Sequence, residues 1–248
     1  MLLPDHRIAP HPKPPSLVTD PAERWRKHEP APDELGLGPT PTEPRLARLL
    51  TLSRDDAVLE PTIEPVGLID QVLAILPETS STWLVPGGLD HLARAATAGG
   101  PPARLRYAEA DTCHDLVREH LAAPATAAPT WQHLPPPEPH DPGEMRTSPH
   151  DPREMRLAEL GSGARVVRAP WSDAVAHEGE VLVLAGPSPL RLAGPGAVIW
   201  LAADTERTID ELTEAVVAEL GEHLDAAGLV RAATVELLRH GALQHALA

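Results

Sequence analysis

Two amphipathic helices near the carboxyl end constrain the fold of this chain more than any other feature. Apolar residues recur every three or four positions in the first helix, at Ile209, Leu212, Val216, Val217 and Leu220. The same spacing recurs in the second helix, at Val230, Ala233, Leu237 and Leu238. This periodicity puts the apolar side chains of each helix on one face, which must be buried against another element.

Short β-prone segments precede these helices. They are separated by Gly and Pro turn signals and comprise residues Arg165–Arg168, Glu180–Ala185 and 190–192. Such a pattern predicts a small meander of strands, and strands followed by helices predict an α+β unit. Trp200, in the first helix of this unit, is predicted to be its main core aromatic, whereas Trp171 either contacts a partner or covers the sheet.

Three sequence patterns in this unit resemble a known family. Residues 192–200 read Leu-x-Gly-Pro-Gly-Ala-x-x-Trp, residues 208–212 read Thr-Ile-x-Glu-Leu, and residues 237–243 read Leu-Leu-Arg-His-Gly-Ala-Leu. With the order of short strands, they make residues 164–243, about a third of the chain, similar to the coenzyme PQQ synthesis protein D (PqqD) family. Members are winged-helix-like peptide chaperones, also called precursor-peptide recognition elements.

The resemblance implies a fold and a function for residues 159–248. The fold is winged-helix-like, with a three-stranded antiparallel sheet and three helices. The function is that of a non-catalytic adaptor, which captures the leader of a ribosomally synthesised, post-translationally modified peptide and presents it to a modifying enzyme such as a radical SAM maturase. The leader adds as a strand to the sheet edge, where unpaired backbone groups supply affinity and side-chain pockets supply selectivity.

The resemblance also implies where the peptide binds. Strand 190–192 is the docking edge, and the last helix, 229–240, is the opposite wall of the groove. The expected peptide-binding residues, some of which face the core instead, are Leu190, Arg191, Leu192, Val230, Arg231, Thr234, Val235 and Leu238. The positive charges nearest this groove are Arg191, Arg231 and Arg239. They either pair with an acidic leader residue or are ordinary surface charges.

Residues 43–123 are predicted to form a separate small α/β domain of unknown function. The predicted elements are a helix after Pro44 with Leu46, Leu49 and Leu50 on one face, a helix at 66–76, a strand at 82–85, a helix at 89–98, a strand at 104–108 and a helix at 112–122 capped by Asp111. Their alternation predicts parallel strands with helical connections. The turn at 85–88 (Val-Pro-Gly-Gly) could offer a helix amino terminus to an anion, but it lacks a dinucleotide or P-loop fingerprint, which favours a plain turn.

Five residues near the predicted strand ends suggest the alternative of a small enzyme with a fused recognition unit: Asp90, His91, Cys113, His114 and Asp115. The carboxyl ends of parallel strands form the usual ligand crevice, and a cysteine nucleophile works with a histidine base. However, adjacent residues on a helix point about 100° apart, and a cysteine is often a small core residue. The sequence therefore favours a protein that is not an enzyme.

Two proline-rich segments, 1–42 and 124–158, flank this domain. Proline removes backbone donors and favours extended backbone before it, so the first segment is expected to be a flexible arm, or an arm that docks through Trp25. The second contains PHDPGEMR at 139–146 and PHDPREMR at 149–156, a repeat that indicates a solvated linker. The alternative for the repeat is a loose metal site of His140, Asp141, His150 and Asp151.

The formal net charge of −15 argues against nucleic-acid binding, because Lys and Arg supply most of the affinity for phosphate backbones. A winged-helix transcription regulator is still an alternative for residues 159–248, although they carry 13 Asp and Glu against six Arg, a net charge of −7.

The single cysteine, Cys113, excludes an internal disulfide and a cysteine-based metal site, and it favours the reducing cytoplasm. We expect no membrane insertion and no secretion, because the sequence has neither a signal peptide nor a long apolar segment. We predict no metal, because the 13 histidines form no HExxH motif, and we likewise predict no cofactor.

Overall fold

The chain folds as an α+β protein around one four-stranded sheet. This computed structural model describes residues 17–18, 22, 25, 27–39, 41–137, 163–185 and 188–246. The described residues contain six α-helices and four small sheets.

The strands are β1 (Leu17–Val18), β2 (Lys27–His28), β3 (Leu50–Arg54), β4 (Thr62–Pro65), β5 (Ala103–Tyr107), β6 (Gln132–His133), β7 (Arg165–Arg168), β8 (Asp173–His177), β9 (Glu180–Ala185), β10 (Ser188–Leu192), β11 (Arg207–Thr208) and β12 (Leu243–His245). The helices are α1 (Leu68–Ile75), α2 (Gly88–Ala96), α3 (His114–Ala122), α4 (Pro195–Ala202), α5 (Ile209–Leu220) and α6 (Ala226–Arg239).

The four-stranded sheet has the order β10-β9-β8-β6 and is antiparallel throughout. Glu178 and Gly179 join β8 to β9 with positive φ angles of 48° and 80°, the backbone that a tight hairpin requires. Residues 181–184 of β9 are all apolar and all buried, so both faces of the sheet are covered. A strand buried on both faces has a continuous apolar sequence rather than an alternating one.

Helices α4, α5 and α6 cover the front face of this sheet. Their apolar side chains pack with Ala174, Val181 and Val183 around Trp200, which is fully buried; we call this cluster the front core. Trp171 meets Trp200 edge to face, with the ring centroids 5.4 Å apart. The predicted helices and the core position of Trp200 are confirmed, and Trp171 belongs to the same core.

Helices α1 and α2, from the amino-terminal half, cover the rear face. The rear core consists of Leu68, Ile69, Val72, Leu89, Ala93 and Ala96 from the helices and Val175, Leu182 and Leu184 from the sheet. Residues 43–123 and 159–248, which were predicted to form separate domains, therefore both contribute to the rear core.

The amino-terminal sheet has the order β3-β5-β4, with β3 parallel and β4 antiparallel to β5. The predicted helices at 66–76 and 89–98 and the strand at 104–108 are confirmed as α1, α2 and β5. The helix predicted after Pro44 is wrong, because Leu50 begins strand β3 instead. A stripe of three leucines is too short to stabilise a helix alone. Pairing of β3 with β5 instead satisfies the backbone hydrogen-bonding groups of this segment.

The strand predicted at 82–85 is also wrong. Thr82–Leu84 form a 3-10 helix that follows Ser81, whose φ is 57°. This turn packs on the start of α2, where a Cβ on Gly88 would lie 2.3 Å from the Thr82 carbonyl oxygen, so only glycine permits the approach. Asp111 does not cap α3 as predicted, because it lies within a preceding 3-10 turn, Ala110–Cys113.

The third sheet has the order β11-β7-β12. Arg165–Arg168 was predicted to open the meander, but this strand, β7, pairs with β11 and β12. The first strand of the meander is β8, which was not among the predicted strands. The partner of Arg168 is Leu243, so the pairing is non-local and turn signals near β7 do not reveal it.

In their described parts, the two proline-rich segments each contribute to one strand pairing. In the amino-terminal arm, β1 pairs with β2, and Trp25 is exposed. In the predicted linker, β6 pairs with β8, so this part is not a solvated connector. The tandem repeat and its four metal candidates lie outside the described residues. Within the described ranges, no helix has the length and apolar character needed to cross a membrane.

Candidate functional site

Strand β10 lies at the edge of the four-stranded sheet. It pairs with β9 on one side, and no strand of the described part of the chain pairs with its other side. The backbone groups on the open side of an edge strand are available to another extended chain. Pro189 of this strand has no backbone N–H, and proline within a sheet is largely confined to edge strands.

The side chains of β10 alternate between the two cores. Leu190 and Leu192 pair in register with Val183 and Val181 and pack on the front core. Arg191 pairs in register with Leu182, whose side chain belongs to the rear core. Arg191 therefore points to the side covered by α1.

Arg191 joins the open edge to the amino-terminal half through two carboxylates. Its Nη1 lies 2.6 Å from Asp70 Oδ1 in α1, and its Nη2 donates to both oxygens of Glu180 at 2.9 and 2.8 Å. The hydrogen bonds with Glu180, and then the one with Asp70, raise the pKa of Arg191. The guanidinium is thus already paired within the chain, which disfavours the alternative that Arg191 pairs with an acidic leader residue.

Most of the predicted α6 positions lie in the front core. Val230, Thr234, Val235 and Leu238 are buried, and the Thr234 hydroxyl donates to the Val230 carbonyl 2.8 Å away. Their spacing of four, five and eight residues along the helix places them on its inward face. Arg231 is partly buried, and within the described residues its Nε has no hydrogen-bond partner.

The other two arginines expected near the groove differ from each other. Arg239 forms an ion pair with Glu236 on the same helix, at 2.5 Å. Arg231 forms no ion pair with any described residue. The structure therefore brings together Leu190, Arg191 and Leu192 on the open edge, but it does not present the predicted α6 residues as a set on the surface.

A second polar site, which is not among the predicted sites, lies on the rear face. Asp173 of β8 is only 1% exposed, yet its Oδ2 accepts hydrogen bonds from the backbone N–H groups of Leu89 at 2.7 Å and Asp90 at 3.4 Å. Its Oδ1 accepts from the Ala174 N–H at 3.0 Å and lies 2.7 Å from His133 Nε2. No local signal marks these residues, because only strand register brings them to α2.

The turn at 85–88 therefore precedes a helix amino terminus that holds an anion, but the anion is a side chain of the same protein. A carboxylate at this position satisfies backbone donors that have no partner inside the helix and interacts favourably with the helix dipole. Because the Asp173 carboxylate already binds the N–H groups at the first turn of α2, the structure favours the plain structural role predicted for residues 85–88.

The residues considered for catalysis are either bonded to other groups of the protein or lie at its surface. Asp90 accepts hydrogen bonds from Arg94 Nε at 2.7 Å and Trp131 Nε1 at 2.9 Å. Burial raises the pKa of Asp90, but the hydrogen bonds from Arg94 and Trp131 outweigh it, so the net shift is downward. Cys113 is buried, with its Sγ 3.5 Å from the Glu109 carbonyl oxygen.

The remaining enzyme candidates lie at the surface. His91 is exposed, and His114 and Asp115 are exposed on α3, where both contact Arg118. Across the described ranges, no side-chain hydrogen bond or ion pair links His91, His114 or Asp115 to Asp90. No group of three or more His, Cys, Asp or Glu side chains among those residues is placed to hold a metal ion.

The two sites differ in the groups that they leave available for contact. The open edge offers main-chain hydrogen bonds beside an arginine and two carboxylates, whereas the Asp173 site is enclosed and internally satisfied. Comparison with protein-family models, with curated proteins and with solved structures finds no match to this chain.

Proposed function

We propose that this protein is a non-catalytic adaptor that binds the leader of a ribosomally synthesised, post-translationally modified peptide. The leader adds as a fifth strand beside β10, and the adaptor presents the rest of the peptide to a separate modifying enzyme, for which the sequence resemblance suggests a radical SAM maturase. The observation that carries this proposal is the open edge of β10 in a sheet whose two faces are both covered by helices.

The geometry at β10 supports strand addition. A fifth strand would continue the hydrogen-bond ladder of β10, and its side chains would point alternately to the front and to the rear. Each main-chain hydrogen bond contributes about 1 kcal/mol net, so several together give useful affinity with little demand on sequence. The order of elements is a further support, because β8, β9 and β10 are consecutive antiparallel strands followed by three helices, as the PqqD resemblance implies.

The two alternatives have less support. The arginines of α6 are a poor DNA-binding set, since Arg231 is partly buried and Arg239 is paired with Glu236. A catalytic role for the Cys113 and Asp90 region lacks a contact that would join the two residues, since Asp90 is bonded to Arg94 and Trp131.

The test is a titration of the full-length chain with leader peptides of the precursors encoded beside its gene. The full chain is needed because removal of α1 and α2 would expose the rear core. We expect saturable binding, together with slower amide hydrogen exchange at residues 188–192 when the peptide is bound. Leu190→Lys should weaken binding, because it places a charge on the half-buried apolar side of the edge.

Leu52→Lys is the matched control, because Leu52 lies on β3, an edge strand of another sheet, and is exposed. It should leave binding unchanged, and thermal unfolding of both variants checks that they are folded. Absence of saturable binding, or protection that avoids β10, would refute the proposal. Salt-dependent binding to duplex DNA would favour the transcription regulator, and loss of peptide modification in Cys113→Ala would favour the enzyme.

A further inference from the structure

From the charges beside β10, we infer that the docked peptide alternates apolar and basic residues, and that helix α1 of the amino-terminal half selects the basic ones. This inference rests on the proposed strand addition at β10. It gives residues 43–123 a part in peptide selection and reverses the acidic preference considered from sequence.

Strand register defines the two rows of contacts that a peptide would meet. Leu190 and Leu192 form the front row, and both pack on the front core. Arg191 lies in the rear row, on the same side of the sheet as Leu182 and Glu180, which are separated by one residue on β9. A fifth strand continues this alternation, because side chains directly opposite each other on paired strands lie on the same face.

The rear row carries an excess of negative charge. The two carboxylates of Asp70 and Glu180 share the single guanidinium of Arg191, which leaves this group with a net charge of −1. The side chain of Asp70 is 48% exposed and that of Glu180 is 29% exposed, so both are within reach of solvent and of a neighbouring chain.

A basic side chain on the rear of the peptide would complete this cluster with a second cation. Long side chains reach diagonal neighbours about 7 Å away on the adjacent strand, so a lysine need not lie directly against Arg191 to approach Asp70. An acidic side chain in the same place would add a third carboxylate to the two already present. Apolar residues on the other side of the peptide would extend the row of Leu190 and Leu192.

The inference is tested with three synthetic peptides in which valine alternates with lysine, glutamine or glutamate, titrated into the full-length protein at physiological salt. We expect the lysine peptide to bind about two- to fivefold more tightly than the glutamine peptide, the range typical of an exposed ion pair, and the glutamate peptide to bind most weakly. Asp70→Asn should remove the preference for lysine over glutamine.

Asp115→Asn is the matched control, because it removes one exposed carboxylate on α3, where the carboxylate is paired with Arg118. It removes one negative charge from the protein, as Asp70→Asn does, and should preserve the preference. An equal loss in both variants would mean that lysine peptides respond only to the overall charge of −15, and the inference would be wrong. Slower exchange of β10 amides without any charge preference would reject this inference alone, whereas failure of all three peptides and of the leaders to bind would reject the proposed function as well.

Discussion

The carboxylate of Asp173 in β8 accepts a hydrogen bond of 2.7 Å from the backbone N–H of Leu89 in the first turn of α2. These residues lie 84 positions apart in the chain, and the bond is buried beside the rear core. The sheet that carries the candidate docking edge is therefore bonded directly to the amino-terminal half.

Replacement of Asp173 should destabilise the whole chain. Asp173→Ala removes the acceptor for buried N–H groups and leaves them unsatisfied, which we expect to lower the free energy of unfolding by about 3 kcal/mol. This change is measured by chemical denaturation, with circular dichroism as the signal of unfolding. Asp204→Ala, at an exposed carboxylate, should change it by less than about 0.5 kcal/mol, and equal effects of the two substitutions would contradict the role of Asp173.

Removal of the amino-terminal half should prevent stable folding of the remainder. A fragment of residues 160–248 would expose Val175, Leu182 and Leu184, which are fully or almost fully buried in the full chain. We expect the fragment to bind a hydrophobic dye and to unfold without a sharp transition. A fragment that unfolds cooperatively at the temperature of the full chain would show that the rear core is dispensable.

The stability of the chain should depend on Asp90 in acid. The pKa of Asp90 lies below its ordinary value of 3.8, so the folded state binds this proton more weakly than the unfolded state does. The contribution of this carboxylate is therefore present above pH 3.8 and is lost as the pH falls through the lower, folded pKa. The difference in unfolding free energy between the unmodified chain and Asp90→Asn should shrink as the pH is lowered from 6 to 2. If the difference in unfolding free energy stayed constant from pH 6 to pH 2, the lowered pKa of Asp90 would be contradicted.

The start of α5 should depend on a capping box. Thr208 accepts a hydrogen bond from the Glu211 N–H at 3.2 Å, and the Glu211 carboxylate accepts one from the Thr208 N–H at 2.7 Å. Thr208→Ala should lower the free energy of unfolding by about 1 kcal/mol. Thr213→Ala is the control, because the Thr213 hydroxyl only donates to the Ile209 carbonyl within the same helix. This control should be close to neutral, and a larger loss in Thr213→Ala than in Thr208→Ala would contradict the prediction.

The candidate site was predictable in part. The position of a third strand around residues 190–192 followed from a short β-prone segment between turns, and β10 occupies that position. The α6 positions were not resolved by the same reasoning, since Val230, Thr234 and Val235 share the inward face of an amphipathic helix. The pairing of Arg191 with Asp70 was inaccessible, because it joins residues 121 positions apart.

Local sequence determined the elements whose cause is local. The apolar periodicity of α5 and α6, the capping residues Thr208 and Asp225, and the Gly-Pro start of α4 each act within a few residues, so they are visible in the chain itself. Tertiary structure decided which strands pair and what covers them. Strand β7 joins β12 instead of the meander, and β9 is buried on both faces by helices from both halves of the chain. These outcomes depend on which distant segments bury the most apolar surface and satisfy the most backbone groups together, and no short window of sequence contains that comparison.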